Sequence, residues 1–158
     1  MSKKKGFEEE AIEEEIWQAV MNACAGEEHL LETVMRELDV LSEIEDEAKR
    51  KELNELIAKH LNEMHALRQM RKMMVNKIIE LRGAKVKEAG DKIRTTTGEL
   101  WCLSKHFLLI KIHCFETAQK YMTLGDMEGA IFFVQIADRI HKMFLDTIDY
   151  LFPRKEKS

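Results

Sequence analysis

Proline occurs once in this chain, at position 153, and that scarcity constrains the fold more than any other feature. Helix has few enforced stops where every earlier residue keeps its amide hydrogen. Only seven glycines add punctuation, so a few long helices are expected rather than many short strands joined by turns. Hydrophobic residues make up 45% and charged residues 34%, which places the sequence among charged globular proteins and outside the disordered class. At 158 residues, one domain spanning 1–158 can bury about 70% of its unfolded surface.

Apolar residues recur at helical spacing from the start: Ile12, Ile16, Val20, Ala23, Leu30, Val34, Leu38 and Leu41 predict a first helix over about 8–41. Six acidic residues between positions 8 and 15 fall in its first turns, where the helix dipole favours negative charge. Gly26 lies in a small-residue patch with Ala23 and Ala25, which predicts a close approach by another helix. The pattern breaks near Ser42. There Ser42 with Glu45 as a capping box, or Asp46 as a simple cap, opens a second helix over 46–82. Within it Leu53, Ile57, His60, Met64, Leu67, Arg71, Met74, Ile78 and Leu81 alternate in steps of four and three, a heptad seam.

Charge folds these two helices back on each other. Residues 7–55 carry 17 acidic and 4 basic side chains, a balance of −13, whereas 68–94 carry nine basic and three acidic, a balance of +6. A reversal near residue 44 sets Glu8 to Glu15 opposite roughly Arg71 to Ile79 and selects an antiparallel, coiled-coil-like hairpin. Residues 83–96, with two glycines and no clear apolar stripe, read as a connector. Thr96 or Thr97 then caps a third helix over 97–123, which holds the most apolar long run, Gly98 to Met122, and is expected to be the central packing helix. Gly125 is placed to end it in the left-handed conformation, and Asp126 to cap a fourth helix over 127–151 that stops before Pro153. The expected fold is all-α, an up-and-down bundle of four main helices with the first two longer.

The first hairpin outreaches the second, so part of its apolar seam is expected to lack cover within the chain. That predicts a partner, either a second copy (a homodimer) or another helical protein. Adaptable methionines Met64, Met70 and Met74 and the seam residue Arg71 are the expected interface. Cys24, Cys102 and Cys114 are odd in number and form no CxxC pair, so they read as thiols in a reducing compartment. The opening MSKKKGFEEE has no apolar core for a signal peptide, and the run Phe107 to Ile110 is far too short for a membrane span. A cytoplasmic protein with no membrane contact is expected.

Each predicted helix carries a histidine and an acid three apart: His29 and Glu32, His60 and Glu63, His113 and Glu116, Asp138 and His141. Spacing of three puts both groups on one helix face, as a metal site inside a bundle requires, so His60, Glu63, His113, Glu116, Asp138 and His141 are candidate transition-metal ligands of di-iron or zinc type. Only Asp138 and His141 have the acid-first order that carboxylate-bridged di-iron bundles use, and an acid-rich helical chain produces such pairs by chance. The leading expectation is therefore no cofactor. Cys102 and His106 could share a zinc ion, but His106 and His113 lie two turns apart and cannot. Lys85, Lys87, Lys92 and Arg94 offer a basic connector for nucleic acid, although no aromatic residues are interleaved and the net charge is −4. No Gly-rich phosphate loop, Ser/His/Asp arrangement or nucleotide fingerprint is present, so a non-enzymatic interaction or assembly protein is expected.

Overall fold

The structure is a computed structural model that describes residues 2–95 and 98–155, with side chains for 4–91 and 100–155. The described residues form five helices: α1 (Ser2–Glu43), α2 (Glu47–Leu81), α3 (Val86–Thr95), α4 (Gly98–Thr123) and α5 (Met127–Leu151). There is no strand among the described residues. At 42 residues, α1 is about 60 Å long.

Local chemistry sets the boundaries. Asp46, not Ser42, caps α2: its carboxylate accepts from Lys49 N at 3.0 Å, while Ser42 Oγ donates back to the Asp39 carbonyl. Arg50 Nη1 donates to the Leu41 and Ile44 carbonyls, satisfying acceptors that the end of α1 would leave open. Two helices end alike. Gly83 (φ +78°) follows α2, with Gly83 N bonded to the Glu80 carbonyl and Ala84 N to that of Ile79. Gly125 (φ +75°) follows α4, with Gly125 N bonded to Met122 and Asp126 N to Tyr121. Both are Schellman motifs, whose left-handed residue favours glycine. Asp126 then accepts from Gly129 N to start α5.

Residues 83–96 do not form a plain connector: α3 occupies most of the segment. Val86 and Ala89, three apart, pack on the core beside Ala84. In sequence, Val86, Ala89 and Ile93 stand at i, i+3 and i+7, an amphipathic stripe that the two glycines of the segment obscure. The expected caps Thr96 and Thr97 lie outside the described residues.

The antiparallel α1–α2 hairpin forms, and every residue of the heptad seam from Leu53 to Leu81 is buried or half-buried. Its register differs from the expected one, because Glu13 meets Arg82 and not a residue of 71–79. Helix side chains lean toward their own N-terminus. Charged tips that meet across an antiparallel pair therefore belong to backbone positions further apart in sequence than the turn alone implies. Gly26 does receive a neighbouring helix, since Leu67 Cδ1 lies 3.0 Å from where a β-carbon would stand.

Packing is extensive within two hairpins, α1–α2 and α4–α5. A smaller α1–α4 contact joins them, and α3 touches α2, α4 and α5. The described residues thus pack helix on helix as five helices, α3 being one more than the four expected. The core lies where α1 begins and α2 ends: Trp17, Val20 and Cys24 meet Val75, Ile78 and Ile79, with Phe107, Leu108, Phe144, Ile148, Leu151 and Phe152 closing over them. Trp17 stands edge-on to Phe144 at 4.9 Å, and Trp101 to Phe152 at 5.9 Å. Each fully buried side chain such as Ile78 or Phe144 contributes about 1.5–3 kcal/mol.

Candidate functional site

Trp17, Cys24, Leu31 and Leu38 repeat every seven residues and so share one face of α1. The first two are buried in the core, whereas Leu31 is 48% and Leu38 49% exposed, with Met35 between them 59% exposed. On α2 the same contrast separates buried Val75 from Leu61, 43% exposed and two heptads earlier. The covering hairpin makes a polar contact with α1 at Glu28, which His113 of α4 reaches at 3.1 Å. Farther along, Leu31 and Met64 border a groove whose other wall holds Ile110 and His113. An apolar face thus runs the length of the α1–α2 hairpin and is covered over only part of it.

Ion pairs hold this hairpin in one register. Arg82, 2% exposed at its side chain, donates to both oxygens of Glu13, to Asp149 at 2.8 Å and to the Phe152 carbonyl. Arg154 adds a bond to Glu13 at 2.9 Å, so one cluster ties α1, the end of α2, α5 and the segment after it. Desolvation works against the Arg82 cation, but the hydrogen bonds it donates to Glu13 and Asp149 outweigh it and raise its pKa. Midway, Arg71 pairs with Glu27 at 2.7 Å, and toward the turn His60 Nδ1 meets Glu37 at 2.8 Å.

A cleft of about 220 Å³ opens between α1, α4 and α5 beside this cluster. Trp17, Met21, Leu108, Phe144 and Leu145 line it, with Lys111, His141, Glu10, Glu13, Glu14 and Arg154. Lys111 is 9% exposed, and its Nζ lies 3.2 Å from His141 Nδ1. Burial lowers the Lys111 pKa against the opposing pull of Glu14. Burial, with the Lys111 charge second, lowers that of His141. Trp17 Nε1 is buried without a hydrogen-bond partner.

The residues singled out from sequence disperse. His60 turns to Glu37, and its neighbour Glu63 lies 3.9 Å from Lys59. His113 sits between Glu28 and Glu116 (3.5 Å), and the Glu28 hydrogen bond raises its pKa. Asp138 pairs with Lys142, which lowers its pKa, while His141 contacts Lys111. Among the described residues no three His, Cys, Asp or Glu side chains come together as a metal would require. Cys24 and Cys114 are buried, and burial pushes the Cys24 thiol up to about 11 and raises that of Cys114; Cys102 and His106 are exposed.

Of the expected interface residues, Met64 and Met74 lie in the α2 seam, Met70 is exposed, and Arg71 is turned inward onto Glu27. Met74 also borders an apolar groove with Ala11, Ile12, Ile16 and Ala19. Lys85 and Lys87 are exposed near the start of α3, with Lys85 3.8 Å from Glu88; the side chains of Lys92 and Arg94 lie outside the described residues. The Glu13–Arg82 and Lys111–His141 pairs were not read from sequence. Lys111 left a trace there, as a lone charge in the apolar run FLLIKI.

Two helical hairpins and the short α3, with a partly bare apolar face, define an all-helical protein without a metal cluster among its described residues. No protein-family model, curated protein or solved structure matches the chain.

Proposed function

We propose that this protein is a non-enzymatic assembly protein that self-associates through the uncovered end of its α1–α2 hairpin, which we read as coiled-coil-like. The observation that carries the reading is the seven-residue series on α1: its first members are core, and Leu31 and Leu38 repeat the chemistry without the cover. Contiguous apolar surface of this kind is characteristic of an interface. A second copy is the occupant that matches in charge, because α1 is strongly acidic while α2 is the more basic helix. In a two-fold arrangement the α1 of one copy faces the α2 of the other, and each patch serves both as donor and as receiver. Leu31, Met35, Leu38, Leu61 and Met64 form the centre, with Met adapting to the facing surface.

Light scattering at micromolar concentration tests this. The expected mass is twice 18.5 kDa for the natural chain. Met35→Glu combined with Leu38→Glu is expected to give the single mass with unchanged helical circular dichroism. A natural chain that stays monomeric overturns the proposal, as does a double variant that remains dimeric.

A further inference from the structure

Lys111 is a buried amine facing no carboxylate within ion-pair distance among the described residues. Its polar contact is His141 Nδ1 at 3.2 Å. Buried ammonium groups are ordinarily paired with an acid, because taking an isolated charge out of water costs several kcal/mol. Of the neighbouring acids, Glu14 attracts the Lys111 charge from the exposed rim of the cleft without reaching ion-pair distance, and the others are engaged elsewhere. Glu13 is bonded to Arg82 and Arg154, and Glu10 lies 3.8 Å from Arg154. On the helix opposite, Asp138 is held by Lys142. The amine stands at an open cleft of about 220 Å³ whose walls include Trp17, Met21, Leu108 and Phe144. A small molecule with an apolar or aromatic body fits those dimensions and that lining.

We infer that this cleft is a site for small aldehydes or ketones, with Lys111 as the nucleophile that captures them as an imine and His141 as its proton acceptor and donor. Desolvated lysines beside a second basic group are the ones that react in this way. With Nζ neutral, its lone pair attacks the carbonyl carbon, and the carbonyl π electrons move to oxygen. His141 Nδ1, within hydrogen-bond reach, takes the surplus proton from nitrogen and returns it to the alkoxide oxygen, giving a neutral carbinolamine. A solvent proton passed through His141 lets that hydroxyl leave as water, and the iminium nitrogen then gives its remaining proton back to solvent, leaving the C=N bond. Amine and carbonyl compound become imine and water, with no oxidant or reductant. The direction in which burial moves the Lys111 pKa favours the neutral amine that this step needs.

Benzaldehyde with cyanoborohydride, applied to the full chain near neutral pH and followed by peptide mass mapping, tests the inference. The trapped benzyl adduct is expected at Lys111 about tenfold or more faster than at the exposed Lys59 and Lys142. Lys111→Arg is expected to abolish that fast adduct, and His141→Gln to slow it while leaving Lys59 and Lys142 unchanged. Labelling of Lys111 no faster than that of Lys59 and Lys142 overturns the site. An unchanged Lys111 rate in His141→Gln overturns the role of the imidazole. The readout uses the natural chain first, so it does not depend on how any variant folds, and it is independent of oligomeric state.

Discussion

Removing the Arg82 guanidinium would leave the Glu13 carboxylate, 7% exposed at its side chain, with only the half-exposed Arg154 to face. Arg82→Met is therefore expected to destabilise by up to about 3–5 kcal/mol, the cost of a fully uncompensated buried charge, with Arg154 offsetting part of it. The double variant Glu13→Leu with Arg82→Met should recover much of that loss, because two apolar groups need no partner. Urea unfolding of the three proteins measures both. The histidines give opposite pH signatures. His113, raised in the folded state by Glu28, stabilises fully below the unfolded pKa near 6.5, and the contribution is lost as pH rises through its folded value. Being half-exposed, it is worth about 1 kcal/mol or less. His141, lowered by burial, contributes above 6.5 and loses that contribution as pH falls toward its folded value. His113→Gln should flatten the stability profile above pH 6.5, and His141→Gln should flatten it below, in denaturant midpoints measured from pH 5 to 8.

At the scale of elements, two glycines separate helix propensity from packing. An alanine in place of a helical glycine gains about 1 kcal/mol from propensity. At Gly129 the new methyl would stand 2.4 Å from the ring of Tyr121, which is stacked on Phe133. Gly129→Ala is thus expected to destabilise by about 1–2 kcal/mol despite the propensity gain. At Gly26 the neighbour is the tip of Leu67 at 3.0 Å, so Gly26→Ala should fall near zero, within about 1 kcal/mol, the two effects offsetting. Thermal melts of both variants check the contrast. Helix positions were legible in the sequence wherever a strong local signal existed: the heptad seam of α2, the Gly125–Asp126 junction, the stop before Pro153. Helix α3 has a local signal too, the i, i+3, i+7 series Val86, Ala89 and Ile93, but Gly83 and Gly90 mask it when the segment is judged by its punctuation. The register is not legible in the sequence, because the lean of Glu13 and Arg82 along their helices is a property of three dimensions. The candidate cleft draws residues from Glu10 to Arg154, and no local pattern marks such a set. Even so, a lysine inside FLLIKI is a cue that a buried amine needs explaining.

For the whole molecule, the division into two hairpins of unequal reach has one main consequence. The shorter hairpin covers the apolar face of the longer one at Trp17 and Cys24 and leaves it bare at Leu31 and Leu38. No helix among the described residues is long and apolar enough to cross a membrane. If a second copy covers the bare apolar face, stability must rise with protein concentration, because association stabilises the folded state by mass action. The melting temperature of the natural chain should increase across a hundredfold rise in concentration, whereas that of the Met35→Glu, Leu38→Glu variant should not. Contact between copies is tested most directly by isotope-filtered NMR on a mixture of labelled and unlabelled chains. The account predicts intermolecular NOEs from the Met35 and Leu38 methyls of one copy to Leu61 and Met64 of the other. Intermolecular NOEs confined to other surfaces, or none at all, would contradict it.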